Sequence, residues 1–125
     1  MKKITNPRGA PAIGPYSPAL RFGDFIQVSG QIPLDEDGRI VKDGIDVQTR
    51  QVMENLKALV EEGGGSMSQV VKCTCYLAEM GDFPAFNEIY ASYFSEPYPC
   101  RVTVQAALPA NSRVEVEALV YLGKL

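Results

Sequence analysis

The sequence contains no histidine among its 125 residues. This absence removes imidazole bases, Ser-His-Asp catalysis and most catalytic zinc sites, because each of these depends on a histidine side chain. Any proton transfer must therefore use a carboxylate, a tyrosine, a lysine, a thiol or water.

Positive charge is also scarce, since 12 lysines and arginines stand against 15 aspartates and glutamates and the formal net charge is −3. This balance gives no broad basic surface for a polyanion, so it argues against a nucleic acid or a membrane surface as a partner. No stretch approaches the roughly 20 apolar residues that cross a bilayer, and the first residues lead to Pro7 without an apolar signal core. We expect a cytoplasmic protein.

Cysteines are few, and their number is odd. Cys73 and Cys75 lie two residues apart in one strand-like segment, where both thiols would face the core, so we expect them to be reduced. The pair supplies only two of the four ligands of a structural zinc site, and only the distant Cys100 could add a third. The sequence therefore predicts no metal site.

The apolar periodicity predicts an α+β chain in the order strand, strand, helix, strand, helix, strand, strand. A length of 125 residues suffices for one compact domain over 1–125 and is too short for two. The opening segment, rich in proline and glycine, should be irregular through Pro18. The expected strands cover 19–22, 25–29, 70–77, 99–105 and 114–120, one helix runs from an N-cap at Asp46 to Gly63, and the other runs from an N-cap at Asp82 to Phe94.

Two amphipathic helices can cover only one face of a sheet of this size. The other face must meet solvent or another subunit, and along the last strand it changes from the charged Glu117 to the apolar Leu119 and Tyr121. A strand face that changes from charged to apolar along its length is typical of an oligomer interface. We therefore predict a homo-oligomer with sites at subunit junctions.

One basic and two acidic strand residues near the C-terminus are the main functional signal. Strand alternation puts Arg101 and Thr103 on one side, and Cys100 and Val102 on the other, which we assign to the core. Glu117 also alternates with valines. With the valines of both strands in a common core, the guanidinium and the carboxylate project from one polar face, where the first can hold a ligand carboxylate and the second can handle a water molecule.

Alternative interpretations stay open for several of these groups. Arg101 could instead form an interface ion pair, and Glu115 is interpreted as a solvated strand residue. Tyr16 could reach into a cleft as a hydroxyl donor or fill the core, and Asn87 has the same two possibilities.

Six short motifs follow one another along nearly the whole chain: Gly14-Pro15-Tyr16-Ser17, Val28-Ser29-Gly30-Gln31-Ile32-Pro33, Asn55-Leu56 within 48–59, Asn87-Glu88-Ile89-Tyr90, Pro99-Cys100-Arg101, and Leu108-Pro109 followed by Val114-Glu115-Val116-Glu117-Ala118. Each motif alone is weak, but the set in this order is specific. On these motifs the chain resembles the RidA/YjgF family of reactive enamine/imine deaminases.

The resemblance implies a chorismate-mutase-like fold, in which a mixed β-sheet carries two α-helices on one face. It also implies a homotrimer that closes into a barrel with clefts between neighbouring subunits. The implied reaction is the hydrolysis of 2-imino acids, such as 2-iminobutanoate and 2-iminopropanoate, to 2-keto acids and ammonia. Neither a metal nor an organic cofactor is implied.

The resemblance further implies roles for individual residues. Arg101 matches the arginine that binds the substrate carboxylate, and Glu117 matches the glutamate that orients water. Many members have Arg-Ser-Cys or Arg-Thr-Cys where this chain has Arg101-Val102-Thr103. Thr103 retains the backbone carbonyl to which the family assigns a role at the cysteine position. The changed side chains leave open the shape of the pocket and the range of substrates it accepts. The positions that match cleft-lining residues are Tyr16, Ser29, Gly30 and Asn87.

Two other functions are kept as alternatives. The first is a non-catalytic regulatory protein in which Arg101 captures a small carboxylate. The second, which the family resemblance also brings, is a ribonuclease or translation inhibitor, and the acidic balance of the chain argues against it.

Overall fold

Alternating apolar residues build one mixed β-sheet in the part of the chain that the computed structural model describes, residues 1–9 and 12–124. The sheet and its two α-helices confirm the predicted α+β class. The elements are β1 (Lys2–Ile4), β2 (Ala19–Phe22), β3 (Phe25–Gln31), α1 (Ile45–Glu62), β4 (Val70–Leu77), α2 (Phe83–Ala91), β5 (Cys100–Gln105) and β6 (Val114–Tyr121).

The strand order across the sheet is β1-β2-β3-β6-β4-β5. All neighbours pair antiparallel except β4 and β5, which run parallel because α2 forms the crossover between them. Consequently β6 lies at the centre between β3 and β4, and β5 lies at the edge. The sheet position of β5 decides where Arg101 can point.

Strand β1 corrects the expectation of an irregular opening segment. It pairs antiparallel with β2, and Ile4 stands opposite Ala19 with its side chain buried in the core. A run of three residues, of which only Ile4 is buried, is too short to show a two-residue period, so sequence periodicity does not predict this strand.

Helix α1 covers the middle of the sheet, where it contacts β3 and β6. It begins after Gly44, not at an N-cap formed by Asp46, which lies in the first turn, where a negative charge is favourable beside the helix N-terminus. It ends at Glu62, directly before Gly63, as the glycine run predicted. The apolar residues that recur at three- and four-residue spacing along this helix are fully buried: Val52, Met53, Leu56, Leu59 and Val60.

Helix α2 covers the β4 side of the same face and shares one core cluster with α1. Asp82 precedes it as predicted, but its carboxylate makes no capping bond and instead accepts two hydrogen bonds from Arg113, at 2.7 and 3.1 Å. The helix ends at Ala91, so the predicted end at Phe94 is wrong. Tyr93 and Phe94 still pack against the core from the turn that follows.

Both helices thus lie on one face of the sheet, and the opposite face carries no helix among the described residues. Neither α1 nor α2 has the length and apolar character needed to span a bilayer. The trimeric barrel, which concerns the uncovered face, stays a prediction.

Candidate active site

Arg101 lies on the helix-covered face of the sheet. In the parallel pairing of β4 and β5 it stands opposite Cys73, whose side chain is fully buried beneath the helices. Directly paired residues share a face. Because β5 is the edge strand, the long Arg101 side chain can follow this face out to the rim of α2.

Three residues of α2 hold the Arg101 guanidinium. Its Nη1 donates a hydrogen bond of 2.6 Å to Oδ1 of Asn87. The guanidinium carbon lies 4.8 Å from the ring centroid of Tyr90 and 5.3 Å from that of Phe83. No carboxylate pairs with Arg101 in the part of the chain that the structure describes, so its charge is available to an external anion.

A cleft of about 510 Å³ opens beside this arginine. Such a volume lies within the range of roughly 300 to 1,000 Å³ that is typical of small-molecule sites. The cleft lies between α2 and the segment that leads into β5, and its lining residues are Asn87, Tyr90, Ala91, Tyr98, Pro99 and Arg101. Arg101 and Asn87 are therefore brought together in one cleft.

Glu117 projects from the opposite face of the sheet. It pairs with Thr74 of β4, which in turn stands opposite Val102 of β5, so these three side chains share the face without helices. The prediction that Arg101 and Glu117 project from one polar face of the same sheet is therefore wrong.

The physical reason for this error is the orientation of β5. Alternation along β5 is as predicted, but its valines are outside the core: Val102 is 49% exposed and Val104 is 39% exposed. Cys100, assigned to the core with them, is exposed as well. The period of two separates the faces of a strand but does not say which face an edge strand turns to the helices.

Glu115 lies two residues before Glu117 on β6, and its carboxylate is in contact with Gly30 of β3. This carboxylate packs so closely against Gly30 that a Cβ at residue 30 would force the carboxylate to move. Burial and, to a smaller extent, the negative charge of Glu117 raise the pKa of Glu115. The interpretation of Glu115 as a solvated strand residue is therefore wrong.

A β-bulge creates this contact. Val28 pairs with Ala118 and Gln31 with Val116, so the two residues Ser29 and Gly30 face one residue of β6. An extra residue of this kind bends a strand and redirects its side chains, and bulges are frequent next to active sites. The register of two distant strands cannot be read from the sequence, and Gly30 was the only signal for a close approach at this position.

Ser29 is engaged within the chain. Its hydroxyl donates a hydrogen bond of 2.7 Å to the carbonyl of Ser17, and its backbone N–H donates one of 2.9 Å to the carbonyl of Pro18. These bonds fasten the segment that carries Tyr16 to β3. Tyr16 is 47% exposed and lines, together with Gly30, a cavity of about 40 Å³. This cavity holds a few water molecules at most.

Thr103 stands opposite Cys75 and so lies on the same face as Arg101. Its hydroxyl is buried and finds no hydrogen-bond partner among the described residues.

Burial raises the pKa of Cys73 to about 11 and that of Cys75 to about 12, so both thiols stay protonated and do not act as nucleophiles at neutral pH. Both thiols lie in the core, as predicted.

The predicted residues thus form two separate groups within one chain. The arginine group consists of Arg101, Asn87 and Thr103 on the helix-covered side of β5. The glutamate group consists of Ser29, Gly30, Glu115 and Glu117 around the bulge of β3, whereas Tyr16 lines the small cavity beside Asn55 and Leu59 of α1. The first group can hold a carboxylate, and the second can handle a proton, but one chain does not bring them together.

Comparison with known proteins gives a consistent result. A family model described as Endoribonuclease L-PSP matches residues 7–122. The chain is 48% identical over 124 residues to a RutC family protein of Pyrococcus horikoshii, a match that covers 97% of this chain and 98% of that protein. It is 41% identical over 124 residues to the 2-iminobutanoate/2-iminopropanoate deaminase of Mus musculus, covering 98% of this chain and 92% of the mouse protein.

Solved structures agree with these relatives. The crystal structure of E. coli TdcF with bound serine matches with a TM-score of 0.92 and 36% identity, over 98% of this chain and 100% of that chain. The family model and the relatives together confirm the resemblance seen in the sequence motifs. The chain belongs to the RidA/YjgF/RutC family.

Proposed function

We propose that this protein is a deaminase that hydrolyses reactive 2-imino acids, such as 2-iminobutanoate and 2-iminopropanoate, to 2-keto acids and ammonia. The observation that carries the proposal is the Arg101 guanidinium, fixed by Asn87 and two aromatic rings beside a cleft and without a carboxylate partner among the described residues. A guanidinium held in this way is suited to bind the substrate carboxylate. Relatives at about 40% identity that carry deaminase names support the reaction.

The proposed site lies between copies of the chain. One copy supplies the arginine group, and its neighbour supplies the glutamate group, because the two groups project from opposite faces of one sheet. The exposed apolar side chains of Val102 and Val104 favour a second copy on the uncovered face. This arrangement fits the homotrimer that the family resemblance implies.

The chemistry requires little of the protein. Water adds to the C=N carbon of the imine, the resulting carbinolamine loses ammonia, and a ketone remains. An imine already hydrolyses in water, so a charge clamp and one oriented water suffice for the modest acceleration that is needed. Arg101 holds the carboxylate, and a glutamate accepts the proton of the attacking water and returns it to the departing nitrogen.

Glu115 is the better candidate for this proton transfer. Its raised pKa brings it closer to neutral pH, and a base is most effective when its pKa is near the working pH. It also lies against Gly30, in the motif that resembles the cleft of the family. In this proposal Glu117, to which the family resemblance assigned the water-orienting role, is a neighbouring charge that adds to the effect of burial on the pKa of Glu115.

Turnover is the direct test of the proposed function. An amino-acid oxidase generates the imine in the presence of semicarbazide, which traps whatever imine survives. Added protein is expected to lower the yield of semicarbazone in proportion to its concentration, because hydrolysis competes with trapping. A trapping rate that does not change with added protein would remove the proposed activity.

The pH dependence of kcat/KM distinguishes the proposed roles of Glu115 and Glu117. The ionised carboxylate of Glu115 is the active form, so activity rises as the pH rises through its pKa. Burial is the larger cause of the raised pKa of Glu115, and Glu117→Gln removes the smaller contribution of the neighbouring charge, so the acidic limb of the profile should move slightly to lower pH. Glu115→Gln should lower kcat by about 100-fold, the range found for general bases.

A matched control for both variants is Glu61→Gln, because Glu61 is exposed on α1. This control is expected to leave the pH profile unchanged. A 100-fold loss in Glu117→Gln together with full activity in Glu115→Gln would return the water-handling role to Glu117.

A non-catalytic carboxylate-binding protein is the second candidate function. The serine bound in the TdcF structure favours it, since serine is a small molecule with a carboxylate. In that case Arg101→Ala abolishes ligand binding, Glu115→Ala leaves it intact, and no imine is turned over under any condition.

A further inference from the structure

We propose that Tyr90 and Phe83 are positioning residues that clamp the Arg101 guanidinium between their rings, so that it meets the substrate carboxylate already oriented. The inference rests on the proposed role of Arg101 as the carboxylate ligand. It concerns residues to which neither the family motifs nor the predicted site gave a role.

The clamp follows from the spacing of residues along α2. Phe83, Asn87 and Tyr90 are separated by four and three residues, and this spacing brings side chains to one face of a helix. Together they contact the guanidinium with a ring, an amide oxygen and a second ring. Both ring distances, 5.3 and 4.8 Å, are within the roughly 6 Å at which a cation and an aromatic face attract each other.

Tyr90 itself is held rigidly. Tyr90 is only 4% exposed to solvent, and its ring contacts the rings of Phe86 and Phe94 at centroid distances of 5.6 and 4.9 Å. A ring with neighbours on both sides cannot follow a moving arginine. The guanidinium must therefore conform to the position of Tyr90.

Arg101 lies on an edge strand beside an open cleft, so without the two rings its side chain would be free to move. An arginine in such a place normally samples many rotamers, and binding a ligand must then order it. Asn87 engages only Nη1, which leaves the other nitrogens for the ligand. The rings restrict the guanidinium plane, so the remaining N–H donors keep one direction toward the cleft.

This inference predicts a specific split between binding and turnover. Tyr90→Leu removes the aromatic face and should raise the Kd for 2-oxobutanoate, measured by calorimetry, by about tenfold. The KM for the imine should rise similarly, with kcat changed by less than about threefold, since the clamp acts on the carboxylate and not on the reacting carbon. Tyr90→Phe keeps the ring and should keep the affinity of the unaltered protein.

Ile89→Val is the matched control, because Ile89 is likewise buried in α2 but is neither one of the rings beside the guanidinium nor one of the rings that hold Tyr90. It should lower the melting temperature while leaving the Kd for 2-oxobutanoate within about twofold. Should Tyr90→Leu fail to fold, Phe83→Leu serves instead, with an expected three- to fivefold rise in Kd at the partly exposed end of the clamp.

The clamp is overturned if folded Tyr90→Leu binds 2-oxobutanoate within twofold of the unaltered protein, or if Ile89→Val weakens binding as much as Tyr90→Leu does. It is also overturned if the unaltered protein binds no 2-oxobutanoate. A protein that binds this keto acid with the predicted variant pattern but turns over no imine would support the clamp and contradict the proposed deaminase activity, so the two failures are distinct.

Discussion

Replacing Arg101 by glutamine is expected to lower kcat/KM for a 2-imino acid by about 100- to 10,000-fold. Two charge-assisted hydrogen bonds to the substrate carboxylate are lost, and each contributes about 1.5 to 3 kcal/mol. Lysine at this position should recover only part of the loss, because an ammonium keeps the charge but cannot form the planar fork that the rings hold. Steady-state kinetics over a concentration series of enzymatically generated imine gives both parameters.

Arg113→Gln is the control for this prediction. Arg113 directly precedes β6, and its guanidinium pairs with Asp82 at 2.7 Å, so its loss should lower stability and leave kcat/KM within a few fold. Urea denaturation of both variants separates the two effects. A kcat/KM for folded Arg101→Gln within tenfold of the unaltered protein would contradict the assignment of Arg101 to the substrate carboxylate.

Much of the fold could be predicted because its elements are long enough to repeat their period. The stripe from Val52 to Val60 shows a helix, and the alternation from Val70 to Leu77 shows a half-buried strand. The failures occur where local signals are short or compete. Strand β1 has three residues, and the Asp82 carboxylate is engaged by Arg113 from a distant part of the chain instead of capping α2.

The site was predicted less completely for a different physical reason. Sequence periodicity assigned Arg101 and Val102 to opposite faces, and this assignment is correct, but only the pairing with β4 shows which face the helices cover. The contact of Glu115 with Gly30 depends on a bulge between strands about 85 residues apart in sequence, a long-range register that local patterns do not encode. No sequence signal placed the Tyr90 ring beside Arg101, because the helical spacing of apolar residues does not show which cation lies against them.

The separation of the arginine and glutamate groups leads to the second prediction, restoration of activity by mixing two inactive variants. Arg101→Gln and Glu115→Gln are each expected to be nearly inactive alone. When equal amounts are co-produced and assemble at random, about one site in four receives an intact Arg101 from one chain and an intact Glu115 from its neighbour. The mixture should therefore show about a quarter of the activity of the unaltered protein, measured per site by the semicarbazide assay.

The size of this restoration discriminates between the possible arrangements. If each site were built from one chain, every chain in the mixture would carry one defect and activity would stay at the level of the separate variants. A monomer in solution, seen by light scattering at assay concentration, would give the same negative result. Combining Arg101→Gln with Arg101→Ala supplies the matched control, because no assembly of those chains contains an intact Arg101 in any site. Restoration in the first mixture and its near absence in the second would require that the carboxylate clamp and the proton-handling glutamate come from different copies of the chain.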